Sequence, residues 1–557
     1  MARIWIVFSV IIFLYGLLVT RLFYWQVIRS GDLRLEAASQ YYLTLTIPAA
    51  RGDILASDGK PVVLNQSASL VYAQPRTIKN IPSFSQSISP LLGIEEKDIE
   101  ESLSQPGRAW VPLAHKVESS RVSALKDLKL TGLGFEKEPK RMYPESSMAA
   151  HLVGFVGSDE NGKDQGYFGV EGYYDRELGG KDGMLQLEKD IRGQPILVGQ
   201  SRRIEPEDGR SLVLWLDRTV ERIAEKRLLE GISKYGAKEG SVVVMDPKTG
   251  GILGLAAFPS YDPGKFSEFA PDAYKNPVVA GTYEPGSTFK VLVMAMGIER
   301  NVVTPTTMAQ EPGPVRVGEY LIRTWDDKYR GEISMTDVLV YSSNVGMVYV
   351  ANKLGKDGML AITRGFGFGD VTGIDLEEEV SADIRKDDEW KEIDLATASF
   401  GQGITVTPIQ MVRAVAAIAN GGLLVEPRVV KEFRDELGSV VPIKPKKPKP
   451  VLSPRAASVM TEMMIAAVDR GEAKWAKPKG YRIAGKTGTA QIPVAGHYDD
   501  KKTIASFVGF APADEPKFIM LVTLREPTSS PWGSETAAPL FFTIAKDLFS
   551  YYGIAPL

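Results

Sequence analysis

The apolar pattern opens with one long uncharged run and continues as shorter strand-like and helix-like segments. The run Ile4–Thr20 holds seventeen residues without a charge, and apolar residues resume after Arg21. As a helix, this run covers about 25 Å, enough to cross the hydrocarbon core of a membrane when flanking side chains snorkel. Tyr24 and Trp25 suit the aromatic belt at a membrane interface. We therefore expect a retained membrane anchor over residues 1–28, because the apolar region of a cleaved signal peptide is shorter.

The segments beyond the anchor alternate between strand and helix patterns. Apolar residues at helical spacing follow Asp217, which predicts a helix with this aspartate as its N-cap. Two β-rich runs flank the turn Asp246–Gly251, and a second such pair lies within Ala505–Leu524. An amphipathic helix is predicted over residues 537–553. Mostly helical segments lie between the two hairpins, so the expected fold from residue 212 onward is an antiparallel sheet flanked by helices, with a helical subdomain.

The whole chain is therefore expected to be a multidomain α/β protein. Residues 29–211 combine short strands, turns and helical stretches into a separate mixed α+β region. Within it, residues 75–135 show helical and loop patterns. The Lys/Pro tract Ile443–Pro450 is typical of a solvated, polyproline-like connection.

The composition excludes several kinds of chemistry. The 557 residues include no cysteine, which removes disulfides, thiolate zinc sites and cysteine nucleophiles. The three histidines, His115, His151 and His497, stand neither in a metal-ligand spacing nor beside a serine motif. A formal net charge of -3 gives no global field that would recruit nucleic acid. We expect no metal site and no nucleic-acid partner.

The segment Glu284–Lys290, "EPGSTFK", stands directly before an apolar run with helical character. Ser287 and Lys290 are three residues apart, so their side chains share a face of that helix. A serine nucleophile needs a nearby base, and a neutral lysine is the remaining candidate in a chain without a usable histidine. Burial and a second cation would keep such a lysine neutral. Taken alone, however, Ser-x-x-Lys is more often a capping serine with a surface lysine.

Two further motifs interrupt apolar segments downstream. Ser342-Ser343-Asn344 is, by itself, a turn or a helix cap, although its hydroxyl and amide could relay a proton and hold a substrate carbonyl. The strand-like segment Lys486–Thr489 contains Gly488, which leaves room for another chain to lie alongside as an added strand. The lysine and the two threonine hydroxyls of this segment suit a carboxylate.

The stretch from Gly480 to Thr487 also fits the phosphate-loop pattern G-x-x-x-x-G-K-[ST]. Such a loop must open a helix whose N–H groups hold the phosphates. Here Gly488, Thr489 and Pro493 follow the lysine and make a poor start for a helix. We therefore expect no nucleotide binding.

Together, the three weak motifs form an ordered set. Ser342 follows Ser287 by 55 residues, and Lys486 follows Ser342 by 144. Ser-x-x-Lys, Ser-x-Asn and Lys-Thr-Gly in this order are the motifs of penicillin-recognising serine enzymes. The chain resembles a class B penicillin-binding protein, a monofunctional D,D-transpeptidase of the bacterial cell wall.

The resemblance extends over nearly the whole chain. Three segments are similar to the pedestal motifs of that family: Arg51–Val62, Arg141–Gly157 and Gly169–Gly183. Ser399–Gly422 resembles the division-type branch more than the elongation-type branch. The resemblance implies that residues 29–211 form an extended pedestal, or dimerisation-like domain, and that residues 212–557 form the penicillin-binding transpeptidase domain.

The resemblance also implies a role for each motif residue. Ser287 would attack the carbonyl between the two terminal D-alanines of a stem peptide, forming an acyl-enzyme and releasing D-alanine. Lys290 would take the serine proton, Ser342 would relay protons to the leaving amine with help from Lys486, and Asn344 would hold the donor peptide. Substrate binding would fall to Thr487, Gly488 and Thr489. The backbone N–H groups of Ser287 and Thr489 would form the oxyanion hole.

The same resemblance implies the cellular context. β-Lactams would acylate Ser287 stably, and no cofactor or nucleotide would be needed. The catalytic domain would lie outside the cytoplasmic membrane, although the basic residues on both sides of the anchor leave its orientation open. A polytopic glycosyltransferase and other wall-synthesis or division proteins are the expected partners. The alternatives are a membrane-anchored serine β-lactamase, a β-lactam sensor, or a non-catalytic scaffold of wall synthesis.

Overall fold

The computed structural model describes residues 2–33, 42–105, 108, 110–160, 162–188, 201–435, 437–494 and 497–557. The chain divides into two compact units. One comprises residues 1–51 and 179–209, and the other comprises residues 52–178 and 210–557.

The first unit contains the predicted anchor as a helix. Residues Ala2–Phe23 are α-helical, and Tyr24–Ile28 continue as a π-helical turn. Ala2–Ile28 is the one described helix that is long and apolar enough to cross a membrane, and none of its residues is buried. Its apolar side chains are therefore free to meet lipid. An antiparallel sheet completes this unit, in the order Tyr42–Ile47, Gly183–Glu188 and Ser201–Ile204.

A small α+β layer lies between residues 68 and 137 of the second unit. Its antiparallel strands are, in order, Val111–Glu118, Ala68–Ala73 and Leu133–Lys137. Its helices are Ile81–Leu92, Glu96–Ser104 and Ser119–Asp127. The sequence pattern predicted helices and loops here but not the sheet. Strand Val111–Glu118 escaped prediction because only Val111 and Val117 are buried, so the alternation of a half-buried strand is blurred.

A six-stranded sheet combines residues from before and after position 212. Its order is Val440–Pro442, Val430–Arg434, Ser211–Leu214, Ile54–Leu55, Pro61–Gln66 and Lys140–Met142. Ser211–Leu214 runs parallel to Ile54–Leu55 and antiparallel to Val430–Arg434. The mixed α+β region is thus hydrogen-bonded into the fold of the C-terminal region.

The sheet that contains the segment Lys486–Thr489 has five antiparallel strands. Their order is Ile252–Phe258, Glu239–Met245, Phe518–Arg525, His497–Ala511 and Ala484–Val494. Both predicted hairpins are confirmed, since Glu239–Met245 pairs with Ile252–Phe258 and His497–Ala511 pairs with Phe518–Arg525. Strand Glu239–Met245 is buried on both faces, because Val242 and Val244 enter one hydrophobic cluster while Val243 and Met245 enter another.

Helices cover both faces of this sheet. Arg218–Tyr235 and Ala537–Tyr551 pack in one cluster, and Asp217 caps the first of them as predicted. The helices of the other cluster include Lys290–Glu299, Asn344–Phe366, Pro408–Ala419 and Pro454–Arg470. Helix Lys290–Glu299 is buried continuously from Lys290 to Ile298. A helix that is buried on every side belongs to the interior, so its first residue is carried into the interior as well.

The remaining elements are short. The helices are Ala150–Val153, Gly169–Tyr173, Asp175–Gly179, Pro277–Ala280, Met335–Val340 and Glu392–Ala398. The 3-10 turns are Pro75–Thr77, Pro263–Glu268, Pro271–Ala273, Gly286–Thr288, Asp387–Glu389 and Lys474–Ala476. The strands are Phe155–Ser158, Asp164–Tyr167, Met308–Glu311, Val315–Val317, Tyr320–Ile322, Gly331–Ser334, Leu423–Leu424 and Lys449–Pro450. The predicted solvated tract is exposed from Lys444 to Pro450, and only its last two residues form a strand, paired with Leu423–Leu424.

Candidate active site

Ser287 lies in a tight turn at the start of the buried helix. Residues Gly286–Thr288 form a 3-10 turn, and the helix itself begins at Lys290. Gly286 has a φ of +53°, and a Cβ on it would lie 2.9 Å from the carbonyl oxygen of Thr489. Only glycine combines that backbone with that close approach. The turn therefore holds Ser287 at the strand carrying Thr489 while Lys290 points into the core.

The Ser-Ser-Asn motif forms a strained turn between two helices. Ser342 has a φ of +56°, an uncommon conformation for a residue other than glycine. Ser343 caps helix Asn344–Phe366 by accepting from the Gly346 N–H at 2.9 Å, and its hydroxyl donates to Glu311. This anchoring of Ser343 leaves its neighbour Ser342 turned toward the buried helix.

Lys290 is enclosed by that turn. Its side chain has no exposed area. Nζ lies 2.5 Å from the Ser342 carbonyl oxygen, 2.8 Å from Asn344 Oδ1 and 3.2 Å from Ser342 Oγ. Nζ is a donor in all three contacts. A neutral amine, which has only two N–H donors, could keep those to the carbonyl and amide oxygens and turn its lone pair toward the Ser342 hydroxyl.

The two serine hydroxyls complete the chain of contacts. Ser342 Oγ lies 3.0 Å from Ser287 Oγ, within hydrogen-bond distance. In the described part of the chain, no hydrogen bond joins Lys290 Nζ to Ser287 Oγ directly. Hydrogen bonds thus connect the buried Lys290 amine with the partly exposed Ser287 through the Ser342 hydroxyl.

The Lys-Thr-Gly segment lies on strand Ala484–Val494, at one edge of the five-stranded sheet. A Cβ on Gly488 would lie 2.4 Å from Ser506 Oγ and 2.8 Å from Thr288 Cγ2, so this position requires glycine. Lys486 is 4% exposed, and its Nζ donates to the carbonyl and hydroxyl oxygens of Thr487 at 3.2 and 3.1 Å. Thr489 Oγ1 accepts from the Gly533 N–H at 2.9 Å.

These three segments enclose one cleft of about 240 Å³. Of the residues expected from the sequence, its wall includes Ser287, Ser342, Asn344, Thr487 and Thr489. Lys290 and Lys486 are buried behind that wall. The structure thus brings the catalytic and carboxylate-binding candidates together in one place.

The cleft wall also contains residues that were not predicted from the sequence, among them two tryptophans and a glutamate. Trp325 and Trp532 meet edge to face with their ring centroids 5.1 Å apart. Glu472 places a carboxylate in the same wall. None of them belongs to a spaced motif, and each comes from a separate loop, so only the fold brings them to the site.

The electrostatics differ between the two lysines. Burial lowers the pKa of Lys290 well below its usual range, and the nearby Lys486 ammonium lowers it further. Burial also lowers the pKa of Lys486, to about 8, against the attraction of Glu472. Near neutral pH, Lys486 is therefore mostly protonated, while the lowered pKa of Lys290 shifts that side chain toward the neutral amine.

Family comparisons agree with this geometry. The family described as "Penicillin binding protein transpeptidase domain" matches residues 240–548, and "Penicillin-binding Protein dimerisation domain" matches residues 46–214. The chain belongs to the class B penicillin-binding proteins. The penicillin-binding protein thus carries both expected domain types, which confirms the resemblance.

Individual relatives extend the agreement over the full length. Stage V sporulation protein D of Bacillus subtilis is 32% identical over 99% of this chain and 85% of its own length. The probable peptidoglycan D,D-transpeptidase PenA of Neisseria meningitidis is 29% identical over 100% of this chain and 93% of its own. Penicillin-binding protein 3 of Mycobacterium tuberculosis, solved with aztreonam, superposes with a TM-score of 0.72 at 26% identity, covering 92% of this chain and 98% of that one. The fold is therefore shared over most of this chain.

The close approach at Gly488 yields a testable prediction. Gly488→Ala should push the strand away from the serine turn and slow the reaction of the full-length protein with labelled penicillin by at least about tenfold, because small misplacements of reacting groups are costly. The control Gly313→Ala, which meets nothing within 4 Å, should react as the parent does. An unchanged rate for Gly488→Ala would contradict the packing argument.

Proposed function

We propose that this penicillin-binding protein cross-links peptidoglycan as a D,D-transpeptidase through an acyl-enzyme on Ser287. The observation that carries the proposal is the buried Lys290 amine, linked to Ser287 through the Ser342 hydroxyl at the base of a cleft. A transpeptidase domain that binds β-lactams and stem peptides needs such an activated serine, because a serine hydroxyl at its ordinary pKa is a weak nucleophile.

Acylation follows from the order of the contacts. As Ser287 Oγ attacks the carbonyl between the terminal D-alanines, its proton passes to Ser342 Oγ, and the Ser342 proton passes to the lone pair of Lys290 Nζ. The tetrahedral oxyanion accepts from the N–H groups of Ser287 and Thr489. Collapse breaks the peptide bond, Ser342 returns a proton to the departing D-alanine amine, and the acyl group stays on Ser287.

Cross-linking completes the cycle. The amine of a neighbouring stem peptide attacks the acyl-enzyme, gives up a proton through the same relay, and releases Ser287 with a new peptide bond. Lys486, protonated near neutral pH, supplies positive charge beside the relay. A β-lactam would enter the same path, and its acyl group would remain on Ser287 because no leaving fragment departs to make room for an acceptor.

Substrate recognition is assigned to the strand and the asparagine. Thr487, Gly488 and Thr489 would bind the terminal carboxylate and let the donor peptide lie along the strand edge. Asn344 donates one amide proton to the Arg323 carbonyl at 2.9 Å. Because an amide group has two N–H donors, one remains for a carbonyl of the donor peptide.

We assign residues 1–28 to the anchor, 29–211 to the pedestal and 212–557 to the transpeptidase domain. The catalytic domain would lie on the extracytoplasmic side, where the wall substrate is. Septal wall synthesis is the favoured role, supported by the division-type character of Ser399–Gly422. A role in spore-wall synthesis is the second candidate, since one relative is named for sporulation. A polytopic glycosyltransferase is the proposed partner, contacted through the anchor and pedestal.

The first prediction of this proposal concerns Ser287 itself. Incubation of the full-length protein in detergent with labelled penicillin should leave one stable adduct, mapped by mass spectrometry to Ser287 and absent in Ser287→Ala. Rapid turnover of the drug would instead indicate a β-lactamase. Absence of any adduct on the folded parent would leave only the scaffold interpretation.

The second prediction concerns pH. Because Lys486 must carry its proton and has a pKa of about 8, the acylation rate should fall as the pH rises through 8. In Lys486→Arg, whose guanidinium stays charged, that alkaline decline should be displaced upward, whatever the absolute rate. A parent rate that keeps rising to pH 10 would refute the role of Lys486.

The third prediction concerns location. A fluorescent fusion of the full chain should collect at division septa, and a membrane-impermeant penicillin should label it in intact cells. Replacing Ala2–Ile28 with an unrelated membrane span should weaken septal recruitment if the anchor contacts a partner. Fluorescence confined to sporulating cells would favour the second candidate role, and labelling only after permeabilisation would reverse the assigned side.

A further inference from the structure

Glu472 is a carboxylate in the cleft wall that the mechanism above does not use. It follows helix Pro454–Arg470 and lines the same cleft as Ser287 and Ser342. The preceding Gly471 packs so closely that a Cβ on it would lie 3.2 Å from the Val340 carbonyl oxygen. The segment bearing Glu472 is thus held against the turn that presents Ser342.

Charged and polar groups from four elements face this carboxylate. Lys486 approaches from the edge strand and Lys290 from the buried helix, and both favour its ionised form. Asp326, which is itself paired with Arg330, opposes ionisation, and the Ser534 hydroxyl supports it by hydrogen bonding. Burial raises the pKa of Glu472 against these attractions.

One oxygen of this carboxylate nevertheless lacks a partner. Glu472 Oε1 is buried and has no hydrogen-bond partner among the described residues, and within that part of the chain Glu472 forms no ion pair within 4.0 Å. A buried acceptor without a hydrogen-bond partner destabilises the folded protein, so a contribution of Glu472 to the site would explain its presence. Its interaction with the two lysines is electrostatic and acts through space.

We propose that Glu472 is a positioning residue of the transpeptidase site, whose negative charge keeps Lys486 protonated beside the neutral Lys290. The proposal rests on the function assigned above. Two lysines buried in one cleft repel each other as cations. Without a nearby anion, Lys486 would therefore tend to lose the proton that its role requires. Glu311 also faces Lys290, but Glu472 is the carboxylate that acts on both lysines.

The sign of the effect is testable. The Glu472 charge raises the pKa of both lysines, so its removal should lower both. In Glu472→Gln, the alkaline decline of acylation should therefore move from near pH 8 toward acid by about one pH unit, while Glu472→Asp, which keeps the charge, should retain the parent profile. Glu472→Thr removes the charge but keeps a hydroxyl, and should show the same acid displacement.

The measurement is the rate of Ser287 labelling by penicillin between pH 5 and 10, on full-length proteins in detergent whose thermal unfolding shows that they are folded. Glu515→Gln, at an exposed carboxylate paired with Lys517, is the matched control and should follow the parent. A superimposable profile for both Glu472→Gln and Glu472→Thr, or an equal displacement in Glu472→Asp, would overturn the inference while leaving the function standing. A parent that forms no adduct on Ser287 would overturn both.

Discussion

The burial of one lysine side chain is the constraint on which the rest of the site depends. Lys290 opens a helix that is buried on all sides, so its amine has no route to bulk water and must find its partners in the protein. Burying an ammonium without full compensation is expensive, which makes the neutral amine the favoured form. Its partners are the Ser342 carbonyl oxygen, the Asn344 amide oxygen and the Ser342 hydroxyl. In the mechanism we propose, this buried amine is the general base of a site without histidine.

The surrounding fold keeps that arrangement rigid. The strained φ of Ser342 is maintained because Ser343 caps the following helix, and the close approach of Gly286 to Thr489 fixes the serine turn against the edge strand. Strain that persists in this way is characteristic of functional sites, where the surrounding structure over-determines it. Among the described residues, strand Ala484–Val494 pairs on one side only, and its other side is where we propose that the donor peptide lies. Pre-organised donors in such a setting need little rearrangement during the reaction.

The motif residues could be predicted from the sequence because residue type and order are enough to define the motifs. The sequence also predicted both hairpins and the Asp217 cap, where local physics decides the structure. It did not predict strand Val111–Glu118, whose partial burial hides the alternation, nor the sheet that joins Ile54–Leu55 to Val430–Arg434 across some 370 residues. Trp325, Glu472 and Trp532 were not predicted either, because only the folded chain brings them into the same cleft as Ser287. The expectation that Lys290 takes the Ser287 proton stays a prediction, and the hydrogen bonds through Ser342 suggest the path by which it would do so.

That path is tested most directly by a double-mutant cycle on Lys290 and Ser342. The acylation rate of Ser287 by labelled penicillin would be measured for the parent, Lys290→Met, Ser342→Ala and the double variant, each verified as folded. If the two residues form one relay, each single substitution should cost roughly 10³-fold, and the double variant should lose little more than either one. Losses that multiply in the double variant would show that the residues act independently, and would contradict proton transfer from Ser287 through Ser342 to Lys290.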